Sequence, residues 1–223
     1  MALTKITEGV IADGAVPTTG IVGVSTFTAS GTWTKATRES ALGVTIKRVI
    51  VEVLGAGGGG GSADNYNSQG GGAGGYAKKL LDVSSISSAT ITIGSGGAGG
   101  TASPITSGSS GGNSSWSDGA NTITANGGGG GQFANGGGAS RSVNGGSASG
   151  GDINLDGKFG EWTLGGDSFY GYGARNWVAN TTASDNAINY GSGGCGPANT
   201  VSGTNYAGSP GRDGIVIVTE IAG

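Results

Sequence analysis

Few side chains in this sequence can do covalent chemistry. Its 223 residues include no histidine and one cysteine, Cys195. A histidine general base, a Ser-His-Asp triad and ordinary zinc or copper centres are therefore outside its repertoire. Carboxylates remain. Glu161 and Asp167 have the residue types of a glycosidase pair, whose outcome depends on a separation that sequence does not fix. Asp152-Ile153-Asn154-Leu155-Asp156-Gly157 imitates the first half of an EF-hand loop. Its twelfth position is Thr163 where a bidentate glutamate belongs, and no helical pattern flanks it, so it reads as a turn. Cys195 has no basic neighbour to activate it and reads as a small buried filler between glycine chains. The expectation is a non-enzymatic protein with no catalytic residue, metal ligand or cofactor.

Recognition chemistry is better supplied. Tyrosine and tryptophan give large amphipathic contact area at low entropic cost. Here they stand beside asparagine or aspartate, a combination that suits sugar rings. The groups are Asn65-Tyr66-Asn67, Gln132-Phe133, Phe169-Tyr170-Gly171-Tyr172, Arg175-Asn176-Trp177 and Asn205-Tyr206. The candidate binding residues are Tyr66, Asn67, Phe133, Tyr170, Tyr172, Arg175, Trp177, Tyr190 and Tyr206. Phe169, Trp162 and Trp116 are expected to pin loops to the scaffold instead.

Such residues need a frame, and glycine supplies it. Glycine makes up 53 residues, in blocks that alternate with β-patterned segments. Two quintets, Gly57 to Gly61 and Gly127 to Gly131, leave strand-like runs, and GGAGG occurs at Gly71 to Gly75 and Gly96 to Gly100. Without Cβ atoms, chains can adopt the left-handed helix of three residues per turn. Several can then lie side by side and hydrogen-bond laterally, which satisfies their buried amides. This is the polyglycine II arrangement, against which solvated glycine turns are the competing reading. A phosphate cradle is excluded, because no Lys-Ser or Lys-Thr pair follows a glycine block.

Strands are expected at Thr45 to Leu54, Tyr76 to Val83, Ala89 to Ile93, Asn121 to Ala125 and Gly214 to Ile221. No convincing amphipathic helix is expected beyond the N-terminal segment. The fold expected is all-β: a small antiparallel sheet or sandwich with glycine-rich loops packed as polyglycine II helices. Residues 1–20 read as an attachment or oligomerisation arm, and residues 21–223 as one domain. Charged residues are 11 % and the net charge is −3, the wrong sign for phosphate-held nucleic acid. No apolar run approaches the ~20 residues of a membrane span.

The order of blocks carries a resemblance. TFTASGTW (Thr26 to Trp33), VIVEVLGAGGGGG (Val49 to Gly61), GGYAKKLL (Gly74 to Leu81) and ITIGSGGAGG (Ile91 to Gly100) come first. ANGGGGG (Ala125 to Gly131), GGDINL (Gly150 to Leu155) and PGRDGIVIVTE (Pro210 to Glu220) follow. Together they resemble the glycine-rich domains of bacteriophage and prophage tail-fibre and adhesin proteins. The resemblance implies a virion protein at the distal tip of a tail fibre. It implies binding of a host surface receptor, a saccharide or an outer-membrane protein. It further implies contact with other fibre proteins through residues 1–20, and a homotrimer, with a single adhesin capping a fibre as the alternative. A structural virion subunit that binds no receptor is the rival reading. After Gly160 the chain departs from the pattern, with GEWTLGGDSFYGYGARNWVANTTASDNAINYGSGGCG. There the glycine lattice is expected to be interrupted and a specialised surface to begin.

Overall fold

Alternation of β-branched and polar residues builds two sheets. In the computed structural model, residues 20–64, 66–133, 142–176, 186–198 and 204–223 are described. The first sheet runs β1 (Gly20–Phe27), β14 (Ile215–Ala222), β3 (Ile46–Leu54), β5 (Tyr76–Asp82), β11 (Ile153–Leu155), antiparallel throughout. The second runs β10 (Ala148–Ser149), β8 (Thr122–Ala125), β7 (Ser114–Ser117), β6 (Ser88–Thr92), β2 (Gly31–Thr34), also antiparallel. Two short pairs lie outside them: β4 (Ala63–Asp64) with β13 (Asn205–Tyr206), and β9 (Ser142–Val143) with β12 (Gly160–Glu161). Val49, Val51 and Val53 of β3 and Val216 and Val218 of β14 face inward. Opposite them are Ala89, Ile91, Trp116, Ile123 and Trp33. The indoles of Trp33 and Trp116 meet at 5.4 Å and 47° in the centre. Trp116 is thus a core residue, as its expected pinning role requires. Of the arm expected over residues 1–20, only Gly20 is described, and it opens β1.

One element departs from expectation. Lys35–Leu42 (KATRESAL) is an α-helix, α1, closed by Gly43 in the left-handed conformation (φ 69°). Burial alone does not hold it: none of its residues is fully buried, and Leu42 is half-buried against the core. Polar anchors do the rest. Arg38 reaches Glu220 of β14 with Nε–Oε1 at 2.8 Å and Nη2–Oε2 at 3.2 Å. Glu220 is wholly buried and also accepts from Ser25 Oγ (2.6 Å) and the Trp33 indole (3.3 Å). Glu39 accepts the Ile46 amide at 2.9 Å, and Lys35 caps the Val83 and Ser84 carbonyls. The guanidinium of Arg38 is held still more firmly protonated than usual, by the Glu220 hydrogen bond first and against the effect of burial.

The β7–β8 turn is tied by one carboxylate. Asp118 Oδ1 accepts the amides of Ala120 (2.9 Å) and Asn121 (2.7 Å), and Oδ2 accepts the Trp116 indole (3.1 Å). Burial alone would raise the pKa of this group. The donors from Asn121, Trp116 and Ala120 outweigh it and hold the pKa below the ordinary value. A depressed folded-state pKa gives stability that is complete above the unfolded value of ~4 and disappears as pH falls through the folded one. We therefore expect Asp118→Asn to cost about 1–2 kcal/mol at pH 7. The difference from wild type should shrink as pH falls well below 4, which urea unfolding at several pH values would read.

From the strand ends the chain passes into the glycine segments, and these form a laterally bonded bundle. Segment 55–62 is its axis. Gly55, Gly58 and Gly61 donate to Gly75, Gly72 and Gln69. Ala56, Gly59 and Ser62 donate to Gly112, Ser109 and Thr106, while Gly57 and Gly60 donate to Arg212 and Ser209. Every third amide returns to the same neighbour, the signature of three residues per turn. The carbonyls of the same segment accept from three further segments: Gly97 and Gly100, Gly128 and Gly131, and Gly194. The axis therefore has neighbours on all six sides, three running against it and three with it. Segment 68–75 repeats the scheme, with Ser68, Gly71 and Gly74 donating to Pro197, Gly194 and Gly191, and Gln69, Gly72 and Gly75 donating to Gln132, Gly129 and Asn126.

Close approach explains the composition. A Cβ on Gly58 would lie 2.0 Å from the Gly129 carbonyl oxygen, and one on Gly59 would lie 2.0 Å from that of Ala98. Both are backbone atoms with no rotamer by which to retreat. The bundle also continues past Gly160, where an interruption was expected. Gly166 donates to Gly71, Ala174 to Gly193, and Gly193 to Gly166. Buried positions there are mostly small, with Ala174, Ala187, Ser192 and Cys195 beside the glycines and Asn176 the exception in size.

Candidate functional site

The lateral bonds fix how far each residue stands from the sandwich. Gly55, Gly75, Asn126 and Gly191 mark the near end of the bundle, and Ser62, Gln69, Thr106 and Gln132 the far end. Two sets of candidate residues follow.

The first set is at the far end, where short loops turn back. Asn205 and Tyr206 pair with Asp64 and Ala63. The Asn205 side-chain amide reaches the Ala102 carbonyl at 3.0 Å, and the Phe133 amide reaches Ser107 Oγ at 3.3 Å. Tyr66, Asn67, Phe133 and Tyr206 thus belong to one apex. Tyr66 and Phe133 are exposed there, while Asn67 and Tyr206 are half-buried.

The second set is on the flank, beside the junction with the sandwich. Phe169 stacks on Tyr76 at 3.8 Å and 10°, so it does pin its loop. Tyr170 meets both rings edge-on, at 6.1 Å and 5.4 Å. The Tyr76 hydroxyl donates to Glu52. Burial first, then that bonded carboxylate, pushes the Tyr76 phenol well above its ordinary range, and burial does the same for Tyr170. Both remain protonated donors through the physiological range. Tyr190 is exposed at the turn into Gly191. Trp177 lies outside the described residues.

Tyr172 is the most open of these rings, 74 % exposed, with the Arg175 guanidinium 5.7 Å from its centroid. Arg175 is oriented by Asp167, Nη2 to Oδ1 at 2.8 Å. The same oxygen accepts the Gly173 amide at 2.9 Å, and Oδ2 accepts Lys158 Nζ at 3.4 Å. Asp167 and Glu161 line one cavity, yet Asp167 is engaged on both oxygens by cationic donors. Such a carboxylate serves as a positioning acceptor.

Trp162 corrects its expected role. It does not pin a loop: it is 58 % exposed, with φ 41°. Its carbonyl is recruited into the bundle by the Gly70 amide, and that leaves the ring at an outward position. Phe159, Ile188, Asn186 and Asn189 were not legible as candidates, although they line the flank cavities. Only the adjacency of Asn186, Ile188 and Asn189 to Tyr190 signals them. The EF-hand-like run forms β11, and Asn154 closes a turn onto the Gly151 carbonyl at 2.8 Å. Cys195 is buried with Ala174 and Ala187, in keeping with a filler. Among the described residues no group of three metal-ligating side chains occurs.

No curated protein matches the chain. A family profile described as a glycine-rich domain matches residues 28–220, from the end of β1 to the buried carboxylate of β14. By that match, over a bundle whose close-packed glycines admit no Cβ, the chain belongs to the glycine-rich domain family.

Proposed function

We propose that the protein is the receptor-binding tip of a phage tail fibre, non-enzymatic, and carried at the distal end of the virion. One observation carries the reading. A frame built of main chain displays exposed aromatic and asparagine side chains on loops whose ends it fixes. Such a frame lowers the ordering cost of binding and leaves the loops free to vary. Its partner is a host surface receptor, a glycan or an outer-membrane protein. Residues 1–20 join it to other fibre proteins, in a homotrimer or as one adhesin on a fibre.

Adsorption tests this directly. Fluorescently labelled protein is mixed with a panel of bacterial strains, and phage plating is scored with and without it. Saturable binding to at least one strain, with reduced plating on that strain, is the expected result. A folded protein that adsorbs to none of them would instead be a structural virion subunit.

A further inference from the structure

We propose that the flank groove binds a neutral oligosaccharide, with one sugar ring seated on Tyr172 and the next against Phe159. This rests on the receptor-binding reading and names the chemistry of one of its surfaces.

Two cavities, lined by residues within 158–175 and 186–189, adjoin at Arg175, which they share. The larger, about 490 Å³, is lined by Tyr172, Arg175, Asn186, Ile188 and Asn189. The smaller, about 280 Å³, is lined by Lys158, Phe159, Glu161, Leu164 and Asp167. Together they have the size of a site that takes an extended small ligand. Each compartment offers one open aromatic ring, Tyr172 at 74 % and Phe159 at 52 % exposure. An aromatic face is apolar in the middle and suits the C–H face of a pyranose. Between the two rings stands the Arg175–Asp167 pair, which presents N–H donors and a carboxylate edge to hydroxyl groups. The amides of Asn186 and Asn189 add donors and acceptors on the far wall.

Charge selects the ligand class. Among the described lining residues, Lys158 and Arg175 are balanced by Glu161 and Asp167. The guanidinium that an anionic sugar would need is already held by Asp167 at 2.8 Å. An acidic saccharide would have to share that guanidinium with Asp167 and approach two carboxylates. A neutral one need only hydrogen-bond to the pair as it stands.

The platform is built before the ligand arrives. Ser168 and Gly171 close a turn, with the Ser168 amide 2.8 Å from the Gly171 carbonyl. The Asn189 side chain donates to the Tyr172 carbonyl at 3.2 Å. A Cβ at position 171 would lie 2.4 Å from the same Asn189 amide, which would have to shift away from this closure. Little ordering of Tyr172 is left to be done on binding.

The test starts from a strain to which the protein adsorbs. Surface polysaccharide from that strain is separated by anion exchange into neutral and acidic fractions, and each competes against adsorption of labelled protein. The neutral fraction should compete. Tyr172→Ala and Phe159→Ala should each weaken that competition at least tenfold, Tyr172→Phe should not, and all three should melt near wild type. Competition by the acidic fraction alone overturns the neutral class. Competition by neither fraction, or unchanged competition with both alanine variants, overturns the groove while receptor binding stands. A wild-type protein that adsorbs to no strain removes both proposals.

Discussion

Gly58→Ala should lower stability by about 3–5 kcal/mol, the cost of forcing backbone from backbone and breaking lateral bonds. The new Cβ would stand 2.0 Å from the Gly129 carbonyl oxygen. Segment 126–132 cannot yield alone, since Gly129 accepts from Gly72 and donates to Asn144. Moving residue 58 instead strains its donation to Gly72 and its acceptance from Gly194. For a chain of this size each kcal/mol moves the melting point by roughly 2–4 °C, so a fall of roughly 10 °C is expected. Gly31→Ala is the matched control. Its Cβ meets nothing within 4 Å, and it lies in strand β2. A change within about 0.5–1 kcal/mol, in the stabilising direction, is expected there. Thermal unfolding followed by circular dichroism distinguishes the two. Equal effects from both substitutions would mean that close contact does not govern the bundle.

Arg38→Ala is expected to cost about 3–5 kcal/mol, because it strands a carboxylate inside the protein. Glu220 has no exposed surface, and its remaining partners, Ser25 Oγ and the Trp33 indole, are neutral. Adding Glu220→Gln to Arg38→Ala should recover much of the loss, since the buried group is then uncharged. Urea unfolding of the two single variants and the double variant forms the cycle that measures this. An additive double variant would show that the ion pair is not the unit holding α1 to β14.

What could be read from sequence divides along physical lines. Val49, Val51 and Val53, and the run Ile215 to Val218, announced central strands because β-branched alternation is a local signal. The glycine blocks pointed to lateral packing because bare chains can approach closely enough to pair their amides, with solvated turns as the competing reading. Helix α1 was not legible. KATRESAL offers the core only Leu42, and its polar partner Glu220 lies 182 residues away in sequence. Strands of two residues such as β4 and β13 carry no periodicity at all. Among the candidate contacts, aromatic type and asparagine neighbours identified exposed rings at Tyr66, Phe133 and Tyr172. They did not separate apex from flank, since that depends on which glycine segment lies beside which. Trp162 was misjudged for the same reason: its backbone belongs to the bundle and its ring does not.

Five of the bundle's segments, 55–62, 68–75, 94–101, 106–113 and 126–132, contain no acid, base, thiol or phenol. Nothing in them titrates, and no ionic contact among them is exposed to screening by salt. They also lack lysine, arginine and bulky aromatic residues, so trypsin and chymotrypsin find no cleavage point even in a strand that has momentarily peeled away. On the proposed virion, such a frame would meet acid, brine and digestive enzymes without a metabolism to repair it. Durability there comes from what the glycine frame leaves out.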